Sequence, residues 1–190
     1  AQGLNGWLWG LITLDSMKYN IPAGSSYTRT EMIKKILSFQ LPDDGFNLRF
    51  AQGSTADPDI TAMAIQALAP YYRNATFNVK DPVDKALDCL SKLQLDTGDF
   101  RSWGTRNSES VSQIIVSLCS IGVDPQNDSR FIKNGINLLD ALFYYQQEDG
   151  GFAHSYESDP GNPSAIPGES NSIATDQALL ALVAVWRQAQ

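Results

Sequence analysis

The sequence predicts an all-α fold: a curved array or ring of about seven helices, with amphipathic outer helices around dry inner ones. Three observations carry it. First, "SFQLPDDGFN" (38–47), "KLQLDTGDFR" (92–101) and "YYQQEDGGFA" (144–153) share one pattern: a Gln, a short acidic turn containing Gly, then a Phe. Phe46, Phe100 and Phe152 lie 54 and 52 residues apart, and a period near fifty marks a repeat architecture. Second, each Gln closes a segment with helical apolar spacing. Third, after each Phe comes a helical run that is apolar nearly all round, the mark of a helix buried on most sides.

The elements follow in order. Residues 1–20 hold "LNGWLWGLITLDSM", uncharged until Asp15, an inner helix without an amphipathic partner before it. Three helix-pair repeats come next, over 28–73, 81–123 and 130–188. In the first, Met32, Ile33, Ile36, Leu37 and Phe39 oppose Glu31, Lys34 and Lys35, and Thr28 or Thr30 caps the start. Its dry partner is "DITAMAIQALAPYY", ended or bent at Pro70. In the second, Val83, Ala86, Leu87, Leu90 and Leu93 share a face, Pro82 suits the first turn, and "SVSQIIVSLCSIG" is dry. In the third, Phe131, Ile132, Ile136, Leu139, Leu142 and Phe143 predict an outer helix over 130–146, and "SIATDQALLALVAVW" is the inner one. Gly45, Gly98 and Gly150–Gly151 permit positive φ after the outer helices. The 155–171 segment has three prolines, two glycines and no helical period, so it is a surface loop, a rim or lid. The whole chain, 1–190, reads as a single domain.

Composition bounds the function. The chain has 190 residues, 43% hydrophobic, and a net charge of −7 without any Lys/Arg cluster. That balance argues against nucleic acid and anionic membrane as partners. No run qualifies as a membrane span. Cys89 and Cys119 lack CxxC spacing and read as small buried apolar residues; whether they pair is open. Two Cys and one His, His154, are too few for a structural zinc site, so neither metal nor cofactor is expected. Phosphate-loop, dinucleotide, metalloprotease and nucleophile-elbow motifs are absent.

The polar residues that stand out are few. Asp57 and Asp59 open the dry helix "DITAMAIQAL", where a carboxylate accepts helix N–H groups and meets the positive helix end. Asp59 reads as the cap. Glu109 holds the matching place in the second repeat, and Ser172 or Asn171 in the third. Recurrence is what capping predicts; a single catalytic acid has no reason to repeat. In the Gln–turn–Phe element, Gln ties a helix end to its neighbour and Phe packs between units. Asp176 interrupts an apolar run, and a buried carboxylate is costly unless paired. It is either satisfied near its own helix start or faces the central concavity with Gln177, Gln113 and Gln66. The second arrangement makes a polar spot on a dry wall, the design of a ligand pocket.

Gln147, Asp149, Gly150, Gly151 and Phe152 resemble the Gln–Trp motif of terpene cyclases, with Phe for Trp. "DPDITAMA" resembles the acidic helix start of those cyclases and of cobalamin carriers such as transcobalamin. The chain thus resembles the prenyltransferase and squalene-cyclase repeat superfamily. "NGWLWGLITLDS", "TRTEMIKKIL", "DPDITAMAIQALAPYY", "SWGTRNSESVSQIIVSL" and "DPQNDSRFIKNG" are most similar to bacterial cell-surface proteins carrying this repeat, often beside a transcobalamin-like C-terminal domain. The likeness covers essentially the whole chain. It implies an (α/α) toroid, here an open or partial ring and a fragment of a longer chain, since complete toroids of the superfamily have about twelve helices. It also implies an extracellular place on a bacterial surface.

Protonating cyclases of this superfamily carry a "D-x-D-D-T-A" start, whose middle Asp donates the proton and whose neighbour keeps it acidic. Asp57 and Asp59 match the first two acids; the third position is Ile60. The expectation is therefore a non-catalytic ligand-binding or scaffold module. Its partner would be a small molecule such as a corrinoid or terpenoid, a glycan, or a protein. The alternative is an enzyme on the same ring. It would be either cyclase-like, with Asp59 as acid beside Asp57, or glycan-active with paired carboxylates.

Overall fold

Each dry helix after the first starts behind an Asp or Asn. Asp57, Asn107 and Asn171 are the N-caps of α3 (Pro58–Leu68), α5 (Ser108–Ile121) and α7 (Ser172–Gln188), and their side chains accept the N–H groups of Ile60, Ser110 and Ala174. The true caps thus lie two residues before Asp59 and Glu109, which sit in the first turns. The outer helices are α2 (Arg29–Leu37), α4 (Lys80–Leu93) and α6 (Leu138–Phe143). Capping boxes open α2, through Thr28 and Glu31, and α6, through Asn137 and Asp140. With α1 (Gly3–Ser16) and a hairpin of β1 (Arg101–Ser102) and β2 (Thr105–Arg106), these are the regular elements of residues 3–48 and 50–190, which the computed structural model describes. The fold is all-α, as the periodicity predicts.

The chain forms two compact units, residues 1–90 and 91–190. In the first unit α1 packs against α2 and α3. There α3 buries Ile60, Ala62, Ala64, Ile65, Ala67 and Leu68, whereas α2 buries only Met32, Ile33 and Ile36. In the second unit α5 packs against α6 and α7 and buries Val111, Ile114, Ile115, Leu118 and Ile121. The distinction between wet and dry helices therefore holds for α2 through α5. Each fully buried Leu or Ile contributes about 1.5–3 kcal/mol. Cys89 is buried and Cys119 half-buried, and the two are not joined by a disulfide.

Two expectations about whole helices fail. First, α1 and α7 are apolar all round yet bury one stripe each: Leu4, Leu8 and Leu11, and Ala174, Ala178 and Ala181. Trp9, Ile173, Leu179, Leu180 and Trp186 are exposed. An apolar surface is buried only where a neighbour covers it, and α7 has its extensive contact with α5 alone. Second, the outer helix expected over 130–146 is broken. Ser129–Phe131 is a 3-10 turn, Lys133 and Ile136 pair across Asn134–Gly135, and only Leu138–Phe143 is α-helical. Asn-Gly is the strongest short hairpin signal, and here it overrides the helical period.

The three Gln–turn–Phe elements match bond for bond. The N–H groups of Leu41, Leu95 and Gln147 donate to the carbonyls of Gly45, Asp99 and Gly151 at 2.9, 2.9 and 2.8 Å. Those of Asp44, Gly98 and Gly150 donate back to Leu41, Leu95 and Gln147 at 2.9, 2.9 and 3.0 Å. The left-handed residue of the first turn is thus Asp44 (φ 68°), not Gly45. Gly45 is needed for space: a Cβ there would lie 2.3 Å from Ala56 Cβ and 2.9 Å from Cys89 Sγ. Gln40 Nε2 donates to Asp44 O and Pro82 O, and Gln94 Nε2 to Gly98 O and Phe131 O. So Gln40 and Gln94 join their turns to the next outer segment, and Phe46, Phe100 and Phe152 are buried.

Candidate functional site

The acidic start of α3 is a helix cap. Asp57 is buried in extended backbone, and its Oδ1 accepts the Ile60 N–H at 3.0 Å. Asp59 is half-buried in the first turn, where the helix dipole favours it. Ile60 points into the core, 5% exposed. Neither aspartate lines any of the cavities described below.

Of the polar residues expected on the dry wall, the structure joins two. Gln113 Nε2 on α5 donates to Gln177 Oε1 on α7 at 3.0 Å. Asp176 is exposed rather than buried, because α7 buries only its alanine stripe. Gln66 is half-buried on α3, in the first unit. Near the Gln113–Gln177 pair in sequence, Val116, Cys119, Leu180, Val183 and Ala184 line an apolar cleft of about 350 Å³. Burial, then the charge of Asp124, pushes the Cys119 thiol up to about 11, so it stays protonated.

Sequence reading missed two polar centres in residues 91–190. The first surrounds Asp99, which is 1% exposed. Its Oδ2 accepts from Tyr145 Oη at 2.7 Å and from Arg106 Nε and a terminal nitrogen at 2.9 and 2.7 Å; its Oδ1 accepts from Thr97 Oγ1 at 2.6 Å. This network fixes one wall of a cavity of about 340 Å³ lined by Thr97, Arg106, Ile136, Asp140, Ala141 and Tyr144. Only the Gly98-Asp99 turn was legible in sequence; Arg106 and Tyr145 carry no motif.

The second centre is His154, 8% exposed. Its Nδ1 lies 2.8 and 2.9 Å from the Glu109 carboxylate oxygens, and its Nε2 lies 3.0 Å from Asp159 Oδ2. Burial lowers the imidazole pKa, but the hydrogen bonds and charges of Glu109 and Asp159 outweigh it and raise the net value. A ring held by acceptors on both nitrogens is an imidazolium. It fastens the 155–171 loop to the start of α5 and has no nitrogen left to exchange protons with a ligand. Among the described residues no cluster of His, Cys, Asp and Glu is arranged to hold a metal ion.

In residues 1–90, Tyr72, Arg73, Lys80, Asp81 and Asp84 border a surface groove of about 680 Å³. The Lys80–Asp84 ion pair and the Tyr72–Asp84 hydrogen bond consume much of its polarity. A smaller one, about 420 Å³, borders Asp15, Arg29 and Tyr71. There Arg29 and Tyr71 both bond Asp15, at 2.7 Å each. Among the described residues no helix is long and apolar enough to cross a membrane.

Residues 37–190 match the sequence family described as Squalene-hopene cyclase C-terminal domain. Among curated proteins none matches the chain.

Proposed function

The chain belongs to the squalene-hopene cyclase C-terminal domain family, and from that premise we propose that it is a non-catalytic module, binding a ligand or serving as a scaffold within a secreted bacterial cell-surface protein. The observation that carries this reading is the state of the acidic helix start. A protonating cyclase resembling this chain needs a second carboxylate beside its proton donor. Ile60 stands in that place and is packed in the core. Asp57 is engaged in capping α3. A carbocation cascade also needs a closed aromatic chamber, because water quenches cations and π faces steady them. Neither aspartate lines any of the cavities described above among the described residues. The surface location rests on the similarity of segments such as "SWGTRNSESVSQIIVSL" to surface-protein repeats.

The test is direct. The whole chain is incubated with squalene and the extract analysed for cyclic triterpenes by mass spectrometry. No product is expected, from the wild type or from Asp59→Asn. A cyclic product from the wild type, lost in Asp59→Asn while the helical circular dichroism is unchanged, would overturn the reading.

A further inference from the structure

The cavity beside β2 combines three things that small polar ligands require: an exposed aromatic face, an apolar floor and hydrogen-bonding groups of both kinds. The face is Tyr144, 57% exposed yet held by edge-to-face contacts with Tyr145 and Tyr156 at 5.3 and 5.0 Å. Ile136 and Ala141 form the floor, and Arg106, Thr97 and Asp140 stand around it. A rigid ring loses little freedom when a ligand stacks on it.

The charges narrow the ligand class. Arg106 donates two hydrogen bonds to buried Asp99, so its positive charge is already matched. It offers further N–H donors without an unmatched cation. Asp140 adds a carboxylate to the wall and disfavours anions. Neutral hydroxyls suit this wall better than carboxylates or phosphates do.

The hairpin supplies a second ring. Trp103 sits at its tip, 68% exposed, with φ 50°. Two-residue hairpin turns with positive φ favour Asn, Asp or Gly at this place, and a bulky residue there is an outlier. Exposed as it is, the indole gains little packing in return for that backbone. Strain of this kind persists where a side chain must be presented. Arg101 braces the turn by bonding the Gly104 carbonyl and, at 2.9 and 3.0 Å, both oxygens of Glu157.

We propose that this cavity binds a neutral glycan, with Trp103, at the turn of the hairpin whose β2 carries Arg106, as a second ring outside the cavity lining. A sugar ring lays its C–H face on Tyr144, its hydroxyls bond Arg106, Thr97 and Asp140, and Trp103 stacks a further sugar unit. This rests on the binding-module reading and names its ligand class.

The experiment titrates the whole chain with cellohexaose, maltoheptaose and N-acetylchitohexaose, with oligogalacturonate as the acidic comparison, by calorimetry and tryptophan fluorescence. Saturable binding of at least one neutral oligosaccharide is expected. Tyr144→Ala and Trp103→Asn should each weaken it by about tenfold or more. Trp103→Asn should also raise the melting temperature, because Asn tolerates the left-handed backbone. Weaker binding joined to a more stable fold is a combination that a structural role for Trp103 does not produce. Absence of binding to all three neutral probes, tighter binding of the acidic one, or neutral binding indifferent to both substitutions would each overturn the proposal. Such a failure leaves the non-catalytic reading standing as a scaffold. Triterpene formation in the squalene assay sinks that reading alone.

Discussion

Tyr145 Oη donates a 2.7 Å hydrogen bond to Asp99 Oδ2 across 46 positions of sequence. Asp99 lies in the second Gln–turn–Phe element and Tyr145 directly precedes Gln146 of the third, so the bond fastens one turn to the next. Burial, then the bond to Asp99, holds the Tyr145 phenol well above its ordinary range, and it remains a donor through neutral and alkaline pH. Arg106 and Thr97 share the same carboxylate. Removing the acceptor strands all three donors. Asp99→Ala should destabilise the chain by about 3 kcal/mol, and Tyr145→Phe by about 1 kcal/mol. Urea denaturation measures both, and equal small losses would show that the network is not cooperative.

The His154 clamp makes the 155–171 loop pH-dependent. Its folded pKa lies above the ordinary imidazole value near 6.5, so its stabilisation is complete below about pH 6.5 and is lost as pH rises through the folded value. Burial raises the Asp159 pKa, but the Gly161 N–H and His154 lower it below the ordinary aspartate range. That contribution is present above about pH 4 and lost as pH falls. The clamp is therefore tightest at mildly acidic pH. Hydrogen exchange at Ser155–Gly161, corrected for intrinsic rates, should quicken as the pH rises above about 6.5 in the wild type. In His154→Gln it should be fast throughout. A wild-type profile as flat as the variant's would remove the clamp.

Capping gives three matched tests. Asp57→Ala and Asn107→Ala each remove the acceptor for one first-turn N–H, and Asn171→Ala for two. Each should cost about 1 kcal/mol, within roughly 0.5–2. If Asp57→Ala costs no more than an exposed Asp→Ala elsewhere, the capping account of "DPD" is wrong.

The repeat was legible because its period is carried by residues that cannot be exchanged cheaply: Phe46, Phe100 and Phe152 in the core, Gln40 and Gln94 at the joints. The caps are partly legible: Asn171 is one of the two residues the sequence offers for the third dry helix, whereas the first two caps, Asp57 and Asn107, lie two residues before the more conspicuous Asp59 and Glu109. Burial of α1 and α7 was not legible, because it depends on neighbours rather than on the helix's own composition. The same holds for Asp176, whose exposure is set by which stripe of α7 meets α5. Asp99, Arg106 and Tyr145 converge from a turn, a strand and the end of a short helix, and no local spacing announces such a meeting. By contrast, the break in 130–146 stood in plain view as Asn134-Gly135.

The first turn offers a prediction of opposite signs at adjacent positions. Asp44 occupies the left-handed place (φ 68°) that Gly98 (φ 83°) and Gly150 (φ 87°) hold in the other turns. A left-handed L-residue costs roughly 1–2 kcal/mol, less for Asp, while Gly adds unfolded-chain entropy worth about 0.5–1 kcal/mol. Asp44→Gly should therefore be neutral to stabilising, by up to about 0.5 kcal/mol. Gly45→Ala next to it forces a methyl into Ala56, whose Cβ stands 2.3 Å from the new carbon, with Cys89 Sγ and Thr61 Oγ1 at 2.9 and 3.1 Å. Thr61 is already bonded to the Phe46 backbone and cannot yield freely. Overpacking of this kind should destabilise by about 3 kcal/mol. Chemical denaturation of the two variants separates the roles: if both changes destabilise equally, the turn is limited by space alone and its left-handed residue bears no strain.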